Sequence, residues 1–214
     1  MTRILLADDH AMVRRGLAGT IARELARRDV VCDEAATGAE ALEMITRNTY
    51  SLAILDISMP GMDGIETLER IRKSAPGVPV LIISMYSEEQ YGLRALRSGA
   101  SGYLTKEQAA DDLLKAIDTI LDGSRYISRN LTGLLVDQAI AHSTELSPPS
   151  HDLLSNREFQ IMKLLAAGRQ LKQVAADLGI SIKTASTYKS RIFEKMRFAS
   201  NADLVKYTEK HLSQ

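Results

Sequence analysis

Short continuous apolar runs punctuate the first half of the chain, at residues 4–7, 30–32, 52–55, 80–83 and 102–104. Between them apolar residues recur at helical spacing. Met12, Leu17, Ile21 and Leu25 mark the first such stretch, Ala41, Leu42 and Ile45 the second, and Ile65, Leu68 and Ile71 the third. Leu93 and Leu96 mark a short fourth, and Leu113, Leu114, Ile117, Ile120 and Leu121 a fifth. The apolar runs do not alternate with polar residues, so they predict strands buried on both faces. Five strand–helix units therefore predict a parallel sheet covered by helices on both sides. Right-handed crossovers leave few topologies, among them the doubly wound order 2-1-3-4-5.

From Leu154 onward the pattern is purely helical. Ser155 and Glu158 form a capping box ahead of Phe159, Ile161, Met162, Leu164 and Leu165, and Gly168 stops that helix. Leu171, Val174, Ala175 and Leu178 define a short second helix ending at Gly179. Ser181 caps a third, over about residues 182–197, and a last helix covers about residues 201–212. Two helices joined by a tight glycine-containing turn predict a helix-turn-helix. Residues 128–141 predict a further helix, capped by Ser128, with Leu131, Leu134, Leu135, Ala139 and Ile140 as an apolar stripe.

Charge separates the two patterns. The chain of 214 residues balances 27 Lys and Arg against 27 Asp and Glu. Residues 1–145 carry 16 basic and 21 acidic side chains, and residues 146–214 carry 11 and 6. The sum of zero thus hides an acidic segment and a basic one. The break falls at Pro148-Pro149 among Ser and Thr, a linker signal. The expected organisation is 1–122 as one domain, 123–150 as a linker carrying the helix at 128–141, and 151–214 as a second domain. One cysteine, Cys32, excludes an internal disulfide and a cysteine-rich metal site. No apolar run reaches membrane-spanning length and the first apolar run is too short for a signal peptide, so a cytoplasmic protein is expected.

The ends of the expected strands carry the chemistry. The first runs into Asp8-Asp9-His10, the third into Asp56, the fourth into Ser84 and the fifth into Thr105-Lys106. A doubly wound sheet brings these ends to one edge. Crowded carboxylates there call for a hard cation such as Mg²⁺. Lys106 supplies a positive charge and Ser84 a hydroxyl for phosphoryl oxygens, and a carboxylate can itself become an aspartyl-phosphate.

Residues 3–122 resemble a bacterial response-regulator receiver domain. The motifs are Asp8-Asp9-His10, the stretch from Leu55 to Gly64, Ser84, and the stretch from Gly99 to Lys106. The resemblance implies a flavodoxin-like (βα)5 fold and phosphorylation of Asp56 by a sensor histidine kinase. It further implies Mg²⁺ at Asp8, Asp9, Asp56 and the Ser58 carbonyl, phosphoryl contacts from Ser84 and Lys106, and Tyr103 as an aromatic switch that turns inward. Ser58 and Tyr86 would tune the lifetime of the phosphorylated state.

Residues 153–212 resemble the LuxR-type helix-turn-helix domain of NarL/FixJ-class regulators. The match runs through Leu154–Glu158, Leu164–Gly168, Leu178–Ser181, Lys183-Thr184 and Tyr188–Met196. The resemblance implies double-stranded DNA as partner, with contacts from Lys172, Lys183, Thr184, Ser186, Thr187, Lys189 and Arg191. It also implies a homodimer formed through the last helix, and RNA polymerase as a conceivable partner. Ala185 and Ser186 stand where Val and Lys are frequent, and Leu171 where a polar residue is common, so the base code is expected to differ.

The combined expectation is a bacterial transcription regulator switched by phosphorylation, with no catalysis beyond its own phosphoryl transfer and dephosphorylation. Three alternatives stay open at this level. A haloacid-dehalogenase-like phosphatase would want a second Asp two residues after the nucleophile, where this chain has Ser58. A small-molecule-sensing LuxR-type regulator would want an aromatic-lined pocket, and the chain has no Trp and three Phe. A regulator that works without phosphorylation would keep the same site residues.

Overall fold

Strands β1 (Thr2–Ala7), β2 (Val30–Ala35), β3 (Leu52–Leu55), β4 (Val80–Ser84) and β5 (Gly102–Thr105) form one parallel sheet in the order β2-β1-β3-β4-β5. The computed structural model describes residues 1–25, 29–141 and 150–212. It divides into two units, Met1–Ala139 and Ile140–Gln214. Pro148 and Pro149 of the expected linker lie outside the described residues.

In the first unit the strands of the sheet centre are buried throughout, which is why they read as unbroken apolar runs. One sheet face presents Ile4, Leu6, Ile54, Leu81, Ile83 and Leu104 to helices α1 (Ala11–Glu24) and α5 (Ala109–Leu121). Alternate residues, Leu5, Ala53, Leu55 and Ile82, are buried on the opposite face. That side belongs to α2 (Gly38–Arg47), α3 (Gly64–Ser74) and α4 (Leu93–Arg97). β2 extends three residues beyond the apolar run, through Asp33 and Glu34, because an edge strand keeps polar side chains in solvent. A π-helical turn, Glu88–Gly92, precedes α4 and has no counterpart in the periodicity. Helix α6 (Arg129–Ala141) begins where Ser128 Oγ accepts the Leu131 N–H at 3.0 Å.

The second unit holds α7 (Asn156–Ala166), α8 (Leu171–Asp177), α9 (Ile182–Met196) and α10 (Asn201–Leu212). The Ser155–Glu158 capping box is formed in full. Glu158 also receives the Lys195 ammonium at 2.7 Å, tying α7 to α9. Phe159, Ile161, Met162, Val174, Ala185, Ile192 and Leu204 make the core. Gly179, at φ 63°, turns α8 into α9, a backbone angle that side chains with a Cβ rarely adopt. Arg197, at φ 55°, ends α9. Among the described residues no helix is long and apolar enough to cross a membrane.

Candidate functional site

The register of the sheet assembles the acidic site. Ala7 pairs with Leu55, so the next residues, Asp8 and Asp56, emerge side by side where the strand order reverses. The Asp56 N–H donates to the Ala7 carbonyl at 2.7 Å and fixes that adjacency. Ser84 pairs with Thr105 in the same way, and the Lys106 N–H donates to the Ser84 carbonyl at 2.7 Å. Four strand ends thus deliver Asp8, Asp56, Ser84 and Lys106 to one edge. Gly64, the first residue of α3, lies so close to Asp56 that a Cβ there would overlap the Asp56 carbonyl. The glycine lets the α3 N-terminus approach the site.

Asp56 is 2% exposed, and neither of its carboxylate oxygens has a hydrogen-bond partner. Lys106 Nζ sits 2.6 Å from Asp8 Oδ2 and 3.4 Å from Asp56 Oδ2. Burial pushes the Asp56 carboxyl above the usual carboxylate range, the Lys106 charge opposes that shift, and the Asp8 charge adds to it. Asp9 is exposed and lies 2.7 Å from His10 Nδ1. Ligand atoms of Asp8, Asp9, His10 and Asp56 lie within 4.8 Å of one another. Two buried oxygens without a hydrogen-bond partner, beside further carboxylates, suit a hard divalent cation. Ser58 is exposed at the rim.

Ser84 is fully buried, and its Oγ accepts the Tyr86 N–H at 3.3 Å. Tyr103 is also fully buried, in the inward position, and donates its hydroxyl to the Tyr86 carbonyl at 2.7 Å. Tyr86 stacks on Tyr91 with ring centroids 4.8 Å apart. Burial raises the Tyr103 phenol far above its ordinary range, so it acts as a neutral donor.

Sequence reasoning missed the polar chain that continues from this point. Glu88 is 2% exposed, with Oε1 accepting from Gln108 Nε2 at 3.2 Å and Oε2 from Asn130 Nδ2 at 2.9 Å. Gln108 in turn accepts the Thr105 N–H at 2.9 Å. Gln108 lies two residues after Lys106, but nothing in a linear pattern marks a partnership spanning 42 residues, as Glu88–Asn130 does. His10 stood beside the expected acidic pair, and its part in the cluster follows from the turn after β1.

In the second unit, Lys183, Thr184, Ser186, Thr187 and Arg191 are exposed on α9, and Lys172 on α8. Lys183, Thr187 and Arg191 follow i, i+4, i+8 and so share one helix face. The Thr187 hydroxyl donates back to the Lys183 carbonyl at 3.0 Å. Lys189 is half-buried, with its ammonium 5.2 Å from the centre of the Phe193 ring. Ala185 lies on the opposite face, fully buried with Ile192 and Met196. It packs the helix-turn-helix and presents no methyl to a base, which corrects the expectation that its identity changes readout.

A parallel sheet with an acidic switch-point site and a basic helix-turn-helix defines a phosphorylation-type signalling module joined to a DNA-binding output module. Family comparison agrees over both parts. The response regulator receiver domain matches residues 4–118, and the bacterial regulatory proteins of the luxR family match residues 152–208. The chain belongs to the response regulators of the NarL/FixJ class, DNA-binding transcription regulators of two-component systems. It is 34% identical over 212 residues to the oxygen regulatory protein NreC of Staphylococcus carnosus (strain TM300), with 97% of each chain covered. Identity to NreC of Staphylococcus haemolyticus (strain JCSC1435) is 35% at the same coverage. The fold is similar to RcsB from Salmonella enterica serovar Typhimurium bound to a promoter in the presence of phosphomimetic BeF3−, with TM-score 0.71, 23% identity and 98% of each chain covered. A two-component response regulator of the LuxR family from Aurantimonas sp. SI85-9A1 is 34% identical, with TM-score 0.57 over 65% of this chain and 99% of that one.

Proposed function

We propose that Asp56 is the phosphoacceptor of this regulator and that a sensor histidine kinase is the donor. The observation that carries the reading is a buried carboxylate whose oxygens lack a hydrogen-bond partner, one of them 3.4 Å from the Lys106 ammonium, flanked by Asp8 and Asp9. An Asp56 oxygen attacks the phosphorus of a phosphohistidine, a P–O bond forms as the P–N bond breaks, and the imidazole leaves with a proton. Mg²⁺ held by Asp8, Asp9, Asp56 and the Ser58 carbonyl would supply charge neutralisation at the phosphoryl oxygens. Lys106 Nζ stabilises another of those oxygens, and the Ser84 hydroxyl donates to a third. Hydrolysis of the acyl phosphate resets the site, with Ser58 and Tyr86 at its rim.

Drawing Ser84 toward the phosphoryl group pulls on the Tyr86 N–H and, through the Tyr86 carbonyl, on Tyr103. The output is binding of paired DNA half-sites by a homodimer, with α9 in the major groove. Lys172, Lys183 and Arg191 supply positive charge, Thr184, Ser186 and Thr187 supply hydroxyls, and Lys189 lies at the edge of this surface. We assign residues 1–122 to the receiver, 123–150 to the linker and 151–214 to the output domain, in a cytoplasmic protein. By likeness to the oxygen regulatory NreC relatives, we infer that the regulation is linked to oxygen.

The test is incubation with a small phosphodonor and Mg²⁺, followed by intact-mass measurement. Wild type gains one phosphoryl group and Asp56→Asn gains none. Equal labelling of Asp56→Asn would overturn the assignment. Mapping of bound DNA in cells carrying each form reads phosphorylation dependence in the same system.

A further inference from the structure

At the opposite edge of the sheet from Asp56 lies an open cavity of about 450 Å³ lined by Arg72, Arg125, Ser51, Ser101 and Ser124. The rest of its lining is glycine, proline and aliphatic side chains. Two cations face this space, and no carboxylate lines it among the described residues. Arg72, in the last turn of α3, donates to the Pro76 carbonyl at 2.8 Å and the Val78 carbonyl at 2.6 Å. Its Nε is buried beside Gly99, so only the guanidinium's outer edge is available to a ligand. Burial, and then the positive charge of Arg125, hold the Arg72 guanidinium below the ordinary arginine range. Neither arginine forms an ion pair with an acid among the described residues, so the like charges are opposed by nothing but backbone carbonyls.

The hydroxyls are poised to donate. Ser101 Oγ accepts the Val80 N–H at 3.3 Å and Ser51 Oγ accepts the Arg3 N–H at 3.4 Å, which leaves each O–H for a ligand. Ser124 adds a third hydroxyl at the mouth. The volume falls within the range of small-ligand sites, about 300–1,000 Å³. Paired guanidiniums with surrounding O–H donors match oxyanions, which accept several charge-assisted hydrogen bonds at once.

We propose that this cavity is a binding site for a small oxyanion, a phosphate or carboxylate ligand, distinct from the phosphoacceptor site. Such a ligand bridges Arg72 on α3 to Arg125 in the segment between α5 and α6. It thereby braces the connection on which Tyr126 bridges to Gly102.

The experiment titrates the chain, without added Mg²⁺, with inorganic phosphate and separately with malonate, against chloride of matched ionic strength. Backbone amide NMR shifts of Ser101, Gly123 and Ser124 are followed. Saturable shifts there at millimolar anion are expected. Tighter phosphate binding assigns a tetrahedral ligand, and tighter malonate binding a carboxylate. Arg72 pins a loop and its loss threatens folding, so the variant is Arg125→Gln, whose side chain is exposed. It is expected to weaken binding about tenfold or more with the chloride melting temperature unchanged. No saturable shift, shifts confined to Ser84 and Lys106, or unchanged affinity in Arg125→Gln would overturn the proposal. The readout does not involve Asp56 chemistry, so failure here leaves the phosphoacceptor assignment standing.

Discussion

Asn130, on the first turn of α6, donates its amide to Glu88 at 2.9 Å, four residues beyond Ser84. The same amide reaches Glu89 Oε1 at 2.7 Å. Leu131 beside it is fully buried, packed against Gly92, where a Cβ would collide with its Cδ1. The linker helix is therefore anchored on the turn that follows the switch residues. Leu131→Ala is expected to cost about 2–4 kcal/mol of local stability through the cavity it leaves. Asn130→Ala leaves a buried Glu88 oxygen short of a donor, costing about 1–3 kcal/mol. Hydrogen exchange across residues 128–140 should accelerate in both variants, most in Leu131→Ala. Unchanged protection would mean that α6 is held elsewhere.

Asp56 should make the folded chain sensitive to pH. Burial and the Asp8 charge raise its pKa, so the folded form holds that proton more tightly than the unfolded form. The stability contribution is full below the ordinary carboxylate value and is lost as pH rises through the raised one. Asp56→Asn is thus expected to be more stable than wild type at neutral pH and to lose that advantage in acid. Thermal melts across pH measure this. Mg²⁺ should raise the melting temperature of wild type and leave Asp56→Asn little changed.

Cys32 should be a poor redox centre. Burial pushes its thiol up to about 11, and the neighbouring Asp33 and Glu34 charges add to the shift. Against a thiol at 9.0, about a hundredfold less thiolate is present at neutral pH. Disulfide-reagent labelling should be slow in the folded chain and fast in urea. Rapid labelling of the native chain would overturn this expectation.

On the DNA side, Lys183→Ala and Arg191→Ala should each flatten the slope of log affinity against log salt by about 1, with little change in sequence preference. Ser186→Ala should change preference at a defined base position with the slope preserved. Lys189→Ala should have the smallest effect on the slope, because its ammonium already lies over Phe193. Fluorescence-anisotropy titrations over a salt series separate these outcomes.

Much of this architecture was legible in the linear pattern. Unbroken apolar runs in the centre of the sheet reflect strands with no solvent face, and strand β3 appears with the expected bounds. The Ser155–Glu158 box and Gly179 are local backbone requirements, and local requirements are written in neighbouring residues. The acidic, hydroxyl and lysine positions were readable because each follows a strand directly and parallel pairing brings strand ends together.

Other features arise from long-range packing. The burial of Ala185 depends on how α9 packs in the folded domain, which the composition of α9 alone does not state. The Glu88–Gln108–Asn130 chain joins three elements that only the folded sheet brings together. The Arg72–Arg125 cavity likewise forms where the end of α3 meets the segment after α5. The sequence by itself determined the elements, their order and the residues at the strand ends, because hydrophobic period and backbone capping act over a few residues. Tertiary structure alone decided which polar groups became partners and which were left without one, because burial and distance are properties of the packed chain.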